Sequence, residues 1–312
     1  MYGVKITMSK VVVIGSFNVD LTGRTPHFPQ PKETIMGTSF QMGPGGKGFN
    51  QGVACHKAGA DITMVAKVGN DPFQNVLNDT MQELHMNQDY IFKCDTSTGC
   101  ALILVDDQGE NEIVVIPGAN AMFTKEDIDS LEPLIKEAEY VLLQLEINQD
   151  ANEMMMDLCV KHNTKVIVNT APCNPMSDEF LSKAYMVTPN EIEVEQLTGI
   201  KVTDFESASK AASVLKNKGV ENIVITMGSQ GAFISSDNIE KMIPAFKVNA
   251  IDTTGAGDAF NGGLVAALSE GKDIWEAARF ASALAALSVQ RFGATTSMPT
   301  LEEIETFLNE QQ

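Results

Sequence analysis

The chain carries the stretch Asp252-Thr253-Thr254-Gly255-Ala256-Gly257-Asp258-Ala259-Phe260-Asn261-Gly262-Gly263, which joins a Gly-rich turn to a helical pattern that continues to about residue 269. Gly255, Ala256 and Gly257 have almost no side chain, so a ligand can approach their backbone closely. Their amides would lie at a helix N-terminus, where unpaired N–H groups and the helix dipole favour an anion. Asp258 beside them suits a base that takes up a proton while the amides hold the developing charge. A plain helix-capping Asp is the alternative, and this stretch alone does not decide between the two.

Length and composition indicate an ordinary globular protein. The 312 residues, 44% of them hydrophobic, suffice for one large α/β domain or two small ones. The net charge of -19 argues against nucleic acid or an anionic membrane surface as partner. Five scattered cysteines without a CxxC spacing predict reduced thiols in the cytoplasm, and four dispersed histidines argue against a His-based metal centre. No signal peptide or membrane span is visible, and Met8 is an alternative start.

Strand and helix patterns alternate along the chain and predict a doubly wound, mostly parallel sheet flanked by helices. Val11 to Ile14 is an apolar run of strand length that delivers Asn18 and Asp20 to its carboxyl end. Further strands are predicted at 140–143, 165–168, 185–187 and 222–226, with helices near 124–137, 150–162, 190–198, 205–218 and 277–290. Polar residues recur just past these strands, where ligands bind in such sheets: Glu146, Asn169, Asn190 with Glu193, and Thr226 with Gly228 and Ser229.

Two inserts differ from this pattern. Residues 21–42 hold three prolines and then an alternating segment from Thr34, and residues 98–117 have the pattern of a β-hairpin. Both predict short, half-exposed strands that form a small β-sheet lid over the ligand edge. We therefore expect a single domain over residues 1–312, with lid inserts at approximately 21–42 and 98–117.

A second Gly-rich segment, Gly43-Pro44-Gly45-Gly46-Lys47-Gly48-Phe49-Asn50-Gln51, opens a helix that runs to about residue 57. It fits G-x-G-x-x-G, but a dinucleotide fingerprint should directly follow the first buried strand, and here about 28 residues intervene. It is not a phosphate-binding P-loop either, because Gly48 follows Lys47 where Ser or Thr is required. The segment predicts a Gly-rich turn before a helix, with Lys47 and Asn50 at its mouth.

Taken together, these motifs resemble the PfkB (ribokinase-like) carbohydrate kinase family over nearly the whole chain. The stretch 252–263 resembles the family's C-terminal signature, and 45–51 resembles its N-terminal signature. Further segments match in order and spacing: Asn18-Val19-Asp20, Gly118-Ala119-Asn120, Asn169-Thr170-Ala171-Pro172, Thr188-Pro189-Asn190-Glu191-Ile192-Glu193 and Thr226-Met227-Gly228-Ser229-Gln230-Gly231. This agreement along the chain is far more specific than any one motif.

The resemblance implies transfer of the γ-phosphoryl group of MgATP to a sugar hydroxyl, and the form of the motifs favours the 5-hydroxyl of D-ribose. Asp258 would be the base, and the amides of residues 255–257 would hold the charge of the transferring group. The sugar would be contacted by Asn18, Asp20, Gly46, Lys47, Asn50 and Glu146, although Lys47 could instead reach the phosphate.

The resemblance also implies nucleotide and metal sites. The nucleotide would lie along Asn190, Thr226, Gly228, Ser229, Gly231 and Gly257, with Glu193 holding Mg²⁺ through water. A monovalent cation, K⁺, would act as activator in a loop site formed by Asp252, Thr254, Ser288, Arg291, Gly293 and Ser297. A homodimer through the lid is implied as well, and the apolar residues of 34–42 and 99–105 favour it.

Several alternatives stay open at this point. Phosphorylation of 2-deoxyribose, fructose or a nucleoside would use the same machinery, and Phe49, next to Asn50, is expected to narrow the sugar pocket. A non-catalytic sugar-binding sensor is a different class, but it would have no need for the base Asp258. An oxidoreductase is disfavoured by the position of the G-x-G-x-x-G segment.

Overall fold

Two β-sheets and eleven α-helices form the part of the chain that the computed structural model describes, residues 10–311. The interpretation of the N-terminal segment, with its alternative start at Met8, concerns residues outside this range. The helices within it are α1 Lys47–Lys57, α2 Gln74–Glu83, α3 Lys125–Ser130, α4 Glu132–Glu137, α5 Gln149–His162, α6 Asp178–Ser182, α7 Glu191–Thr198, α8 Phe205–Asn217, α9 Ala256–Ser269, α10 Ile274–Ser288 and α11 Leu301–Glu310.

The larger sheet has nine strands in the order β13-β12-β11-β10-β9-β8-β1-β4-β5. They are β1 Lys10–Ile14, β4 Ile62–Gly69, β5 Ile91–Cys94, β8 Ala138–Leu143, β9 Lys165–Val168, β10 Met186–Val187, β11 Asn222–Thr226, β12 Ala232–Ser236 and β13 Ile239–Ile243. The strands from β11 to β5 pair in parallel, and only β12 and β13 pair antiparallel. The parallel strands therefore end at one edge, where the polar residues predicted from the sequence lie.

Helices cover both faces of this sheet, and each face has its own apolar core. Val11 and Val13 of β1 face the core built with α1, α9 and α10, whereas Val12 and Ile14 face the core built with α4, α5 and α8. Successive side chains of a strand point to opposite faces, so a continuous apolar run is the pattern of a strand covered on both sides. The predicted α/β class, with a mostly parallel sheet flanked by helices, is confirmed.

A smaller sheet of four strands, in the order β3-β2-β6-β7, lies apart from the larger one. Its strands are β2 Asn18–Arg24, β3 Ser39–Gly45, β6 Gly99–Val105 and β7 Asn111–Ile116. β2 and β3 pair antiparallel, as do β6 and β7, and parallel pairing of β2 with β6 joins the two hairpins. The predicted second small sheet is thus present.

Two predicted elements differ from the structure. The alternating segment from Thr34 becomes a strand only at Ser39, because Ser39 pairs with Arg24, the residue at which the partner strand β2 ends. The helix predicted over 124–137 is split at Leu131 into α3 and α4. Pro133 lies in the first turn of α4, where a missing N–H is tolerated, but it cannot continue the hydrogen bonding of α3. Among residues 10–311, no helix is long and apolar enough to cross a membrane.

Candidate functional site

Helix α9 begins at the Gly-rich stretch, and its first turn faces the edge where the parallel strands end. Gly255 precedes it with a φ of 74°, a left-handed conformation that favours glycine. The Gly255 carbonyl accepts from the Ala259 amide at 2.8 Å, whereas the Ala256 amide donates back to the Thr253 carbonyl at 3.2 Å. Of the three amides predicted to hold an anion, those of residues 255–257, the Ala256 amide thus already has an acceptor. In the first turn of a helix the amides have no acceptor within the helix, so those of Gly257 and Asp258 are available to a ligand.

The Asp258 carboxylate is buried and held from both sides. Asn50 Nδ2 donates to one carboxylate oxygen and Gln51 Nε2 to the other, each at 2.9 Å. Burial raises the pKa of Asp258, and the charge of Lys47 and the two amide donors only partly oppose it. A carboxylate with a raised pKa and fixed oxygens has the properties of a general base.

Gln51 belongs to the site, although no role for it is predicted from the sequence. Its side chain is fully buried, and its Nε2 donates to Asn169 Oδ1 at 2.9 Å as well as to Asp258. Its Oε1 accepts from Gln144 Nε2 at 2.7 Å. A buried Gln whose amide is shared between two acceptors fixes both of them. The signal available in the sequence was a polar residue on α1 at a position that the helix buries.

Asp20 and Asn18 lie on β2, on the face of the small sheet that is directed at the site. The pKa of Asp20 is raised to about 6, mainly because the carboxyl group is buried. The nearby negative charges of Glu146 and Asp258 raise this pKa further. Gly45 on β3 is packed against this carboxylate, because a Cβ there would lie 2.3 Å from Asp20 Oδ2. Asn18 is oriented by Asn120, whose Nδ2 donates to Asn18 Oδ1 at 2.8 Å.

Lys47, Gly46 and Glu146 meet at the start of α1. Gly46, with a φ of 91°, precedes the helix, and a Cβ there would lie 2.8 Å from the Asn18 nitrogen. The Lys47 amide donates to Glu146 Oε2 at 2.9 Å, and the Ser16 hydroxyl donates to the same oxygen. Burial would lower the pKa of Lys47, but the charges of Asp258, Glu146 and Glu193 outweigh it and raise the pKa. The Lys47 ammonium thus lies among the carboxylates of both predicted subsites.

Glu193 is buried at the start of α7 and takes part in a capping box. Its Oε2 accepts from the Asn190 amide at 3.1 Å and from the Thr170 hydroxyl at 2.9 Å, and its Oε1 accepts from Asn190 Nδ2 at 2.9 Å. Burial raises the pKa of Glu193 more than these donors and Lys47 lower it. Thr226 forms a β-bridge with Asn190 and leads into the turn that holds Gly228, Ser229 and Gly231. The predicted nucleotide residues therefore come from these two neighbouring segments, except for Gly257, which lies in the first turn of α9.

The Asp252 carboxylate joins two loops at the start of α9. Its Oδ1 accepts from the Thr254 amide and its Oδ2 from the Gly293 amide, each at 2.9 Å. Ser288 and Ser297 donate their hydroxyls to Ala285 and Ala294 carbonyls nearby. The Arg291 guanidinium is directed elsewhere, because it forms an ion pair with Glu303. A cation between these loops would therefore depend on backbone carbonyls and on Asp252.

Phe49 does not narrow the sugar pocket, and the expectation that it would is wrong. Its side chain is fully buried in the core and packs edge-to-face on Phe17, with ring centroids 5.2 Å apart. On α1, Phe49 and Asn50 are about 100° apart, so one enters the core while the other faces the site.

Within residues 10–311 no three His, Cys, Asp or Glu side chains cluster as a metal site. Glu193, whose oxygens already accept three hydrogen bonds, fits contact with Mg²⁺ through water.

Known proteins that are similar to this chain over nearly its whole length are carbohydrate kinases. A profile of the pfkB family carbohydrate kinases matches residues 8–301. A ribokinase of Haemophilus influenzae is 40% identical over 96% of this chain and 98% of its own length. A ribokinase structure from Thermotoga maritima, 37% identical, covers 96% of this chain and 99% of its own with a TM-score of 0.87. A ribokinase structure from Arabidopsis thaliana complexed with ribose and ATP, 29% identical, covers 97% and 99% with a TM-score of 0.91. The predicted ribokinase-like fold is thereby confirmed.

Proposed function

The chain belongs to the pfkB family of carbohydrate kinases, and from this premise we propose that it transfers the γ-phosphoryl group of ATP to the 5-hydroxyl of D-ribose, giving D-ribose 5-phosphate and ADP. The observation that carries the proposal is the Asp258 carboxylate. It is buried, fixed by Asn50 and Gln51, and placed in the first turn of α9 next to Gly257, where backbone amides have no acceptor within the helix. A base and an anion site side by side are what phosphoryl transfer to an alcohol requires.

In the proposed reaction Asp258 accepts the proton of the sugar hydroxyl. The 5-hydroxyl oxygen of the sugar attacks the γ-phosphorus, its proton passes to an Asp258 carboxylate oxygen, and the bond to the β-phosphate oxygen breaks to release ADP. The amides of Gly257 and Asp258 stabilise the charge that spreads over the transferring group. Burial raises the pKa of Asp258, and a raised pKa makes uptake of the hydroxyl proton more favourable.

The sugar hydroxyls would be bound by carboxylates and carboxamides that lie around this base. Asp20 and Asn18 come from the small sheet, and Asn50 and Lys47 come from α1. Glu146 fixes the start of α1 through the Lys47 amide. Several acceptors and donors on different elements hold a polyol in one orientation, and this places one hydroxyl in line with the phosphate.

The nucleotide would lie along Asn190, Thr226 and the turn at 228–231. Glu193 would hold, through water, the Mg²⁺ that accompanies ATP, and the ion would supply positive charge against the phosphates. The charges of Asp258, Glu146 and Glu193 act on the Lys47 ammonium. This supports a role for Lys47 in contacting either the sugar or the phosphate. Removal of its charge by Lys47→Met would raise the KM for the substrate that it contacts.

Activation by K⁺ is the second part of the proposal. The Asp252 bridge between Thr254 and Gly293 supports it, because ordering these loops would order the turn that precedes α9. Replacement of KCl by choline chloride at constant ionic strength should lower kcat and should leave the fold unchanged. An unaltered rate would contradict a role for the cation.

A homodimer through the small sheet is the third part. Met42, Leu102 and Val114 lie in one row across its strands, on the face opposite Asp20, and are 53%, 45% and 60% exposed. Such a row of apolar side chains on one sheet suits burial against a second copy. Light scattering should give twice the mass of 33.7 kDa.

A cytoplasmic setting is also proposed, and five unpaired thiols support it.

The proposed activity is tested by ADP release with MgATP and KCl, using D-ribose, 2-deoxyribose, fructose, adenosine or no acceptor. Ribose-dependent turnover, with ribose 5-phosphate identified by phosphorus NMR, is the expected result. A higher kcat/KM for another acceptor would retain the kinase mechanism and reject ribose. Sugar binding without turnover for any acceptor would instead favour the non-catalytic sensor.

A further inference from the structure

We propose that Thr295 is a positioning residue for the base, acting through Asn50, and this inference rests on the proposed function. Thr295 is 245 residues from Asn50 in sequence, lies in the loop after α10 and is only 4% exposed. Its hydroxyl donates to Asn50 Oδ1 at 2.6 Å, while Asn50 Nδ2 donates to Asp258 Oδ2 at 2.9 Å. The three side chains thus form a chain of hydrogen bonds that ends at the carboxylate.

The direction of these bonds matters because the two ends of the Asn50 amide are chemically different. With Oδ1 toward the Thr295 hydroxyl, the NH₂ group faces Asp258, where a donor is required. In the reversed orientation Oδ1 would face the carboxylate, and two acceptors would be in contact. A hydroxyl proton on Thr295 that points at Asn50 stabilises the productive orientation.

The Thr295 hydroxyl has a second possible acceptor on the small sheet. Its oxygen lies 3.2 Å from the Pro44 carbonyl oxygen of β3, so the hydroxyl is within hydrogen-bonding distance of both β3 and α1. A hydroxyl has one proton, and the shorter contact to Asn50 takes it. The other charged groups that face Asp258 are Lys47 on α1, Glu146 after β8 and Asp20 on β2. Within residues 10–311 none of these three forms a hydrogen bond with Thr295, so its effect on the base passes through Asn50.

The test uses Thr295→Val, which keeps the shape and removes the hydroxyl, and Thr295→Ser, which keeps the hydroxyl. Thr296→Val is the matched control, since Thr296 is in the same turn but donates to the Phe292 carbonyl. We expect Thr295→Val to lower kcat/KM for ribose about tenfold, the value of one lost hydrogen bond that leaves a buried acceptor unpaired. Thr295→Ser should recover most of it, and Thr296→Val should resemble the wild type.

The pH profile separates positioning from a general loss of structure. The Asn50 bond lowers the pKa of Asp258, so weakening it should move the acid limb of kcat to higher pH in Thr295→Val and not in Thr296→Val. An unmoved limb in Thr295→Val, or an equal shift in both valine variants, would overturn the proposal. If Thr295→Val does not fold, Thr295→Ala carries the same test. Failure of the wild type to phosphorylate ribose would reject the proposed function itself, which is a distinguishable result.

Discussion

Replacement of Asp258 by Asn tests the base directly, and the structure predicts two separate effects. General base catalysis typically contributes about 10²- to 10⁴-fold, so kcat should fall by about that factor. The second effect concerns the neighbours: both carboxylate oxygens accept from NH₂ groups, of Asn50 and Gln51, at 2.9 Å. The introduced carboxamide must place its own NH₂ against one of them, which leaves donors facing each other at a cost of about 1–3 kcal/mol. Loss of the buried negative charge offsets part of this cost.

The expected profile is therefore a large loss of turnover with little loss of fold. Turnover is measured by ADP release, ribose binding by calorimetry, and stability by thermal unfolding, where a change of about 2–4 °C or less is expected. Asp61→Asn, at the exposed amino end of β4, makes the same charge change away from the site and serves as control. A kcat for Asp258→Asn within about tenfold of the wild type would refute the assignment of the base. Equal losses of turnover and ribose binding would show that Asp258 acts mainly in sugar binding.

Three further variants address other parts of the site. Gly45→Ala places a Cβ 2.3 Å from Asp20 Oδ2 and should raise the KM for ribose about tenfold or more. Gly43→Ala is the control, because its Cβ would meet nothing within 4 Å and the KM should not change. Equal KM values for the two variants would contradict a sugar-binding role of Asp20. Because the folded protein raises the pKa of Asp20 to about 6, it holds that proton more tightly than the unfolded chain, so this group's contribution to stability falls as the pH rises through that range. Asp20→Asn should therefore unfold at a higher temperature than the wild type above about pH 6, with the difference vanishing toward about pH 4, and a pH-independent difference would contradict this. Gly257→Ala meets nothing within 4 Å and should keep or raise the unfolding temperature, yet it should raise the KM for ATP if the phosphates approach this backbone; an unchanged KM would place the anion elsewhere.

Those strands and helices whose own residues carry a clear pattern could be predicted from the sequence. β9 and β11 were predicted with their observed bounds, because a buried parallel strand is a short apolar run between polar segments. Helix α9 was predicted from its Gly-rich start and its small apolar residues, and it ends at Ser269, where the pattern was expected to end. The break at Leu131 was missed because periodicity continues across it, and only Pro133 indicates that α4 starts anew.

The site was harder to predict where its members are fixed by distant partners. Asn50 was expected at the mouth of the Gly-rich turn, but its partners Thr295 and Asp258 are more than 200 residues away, at 245 and 208 positions. No periodicity carries information about contacts of that separation. The orientation of Phe49 toward the core likewise depended on Phe17, which lies on another segment. A motif thus indicates which residues matter, and the packing of the elements decides what each one contacts.

The hydrogen bonds around Asp258 join the two Gly-rich motifs, residues 45–51 and 252–263. A carboxylate buried without donors would be strongly destabilised, so the proposed base depends on the amide groups that reach both of its oxygens. α1 supplies them on adjacent residues, Asn50 and Gln51, while α9 supplies the carboxylate and the free amides. A third set, Gln144 and Asn169 at the strand ends, fixes Gln51. Chemistry at this edge of the sheet therefore depends on the packing of α1 against α9, and a change that separates the two helices should abolish catalysis before it unfolds the sheet.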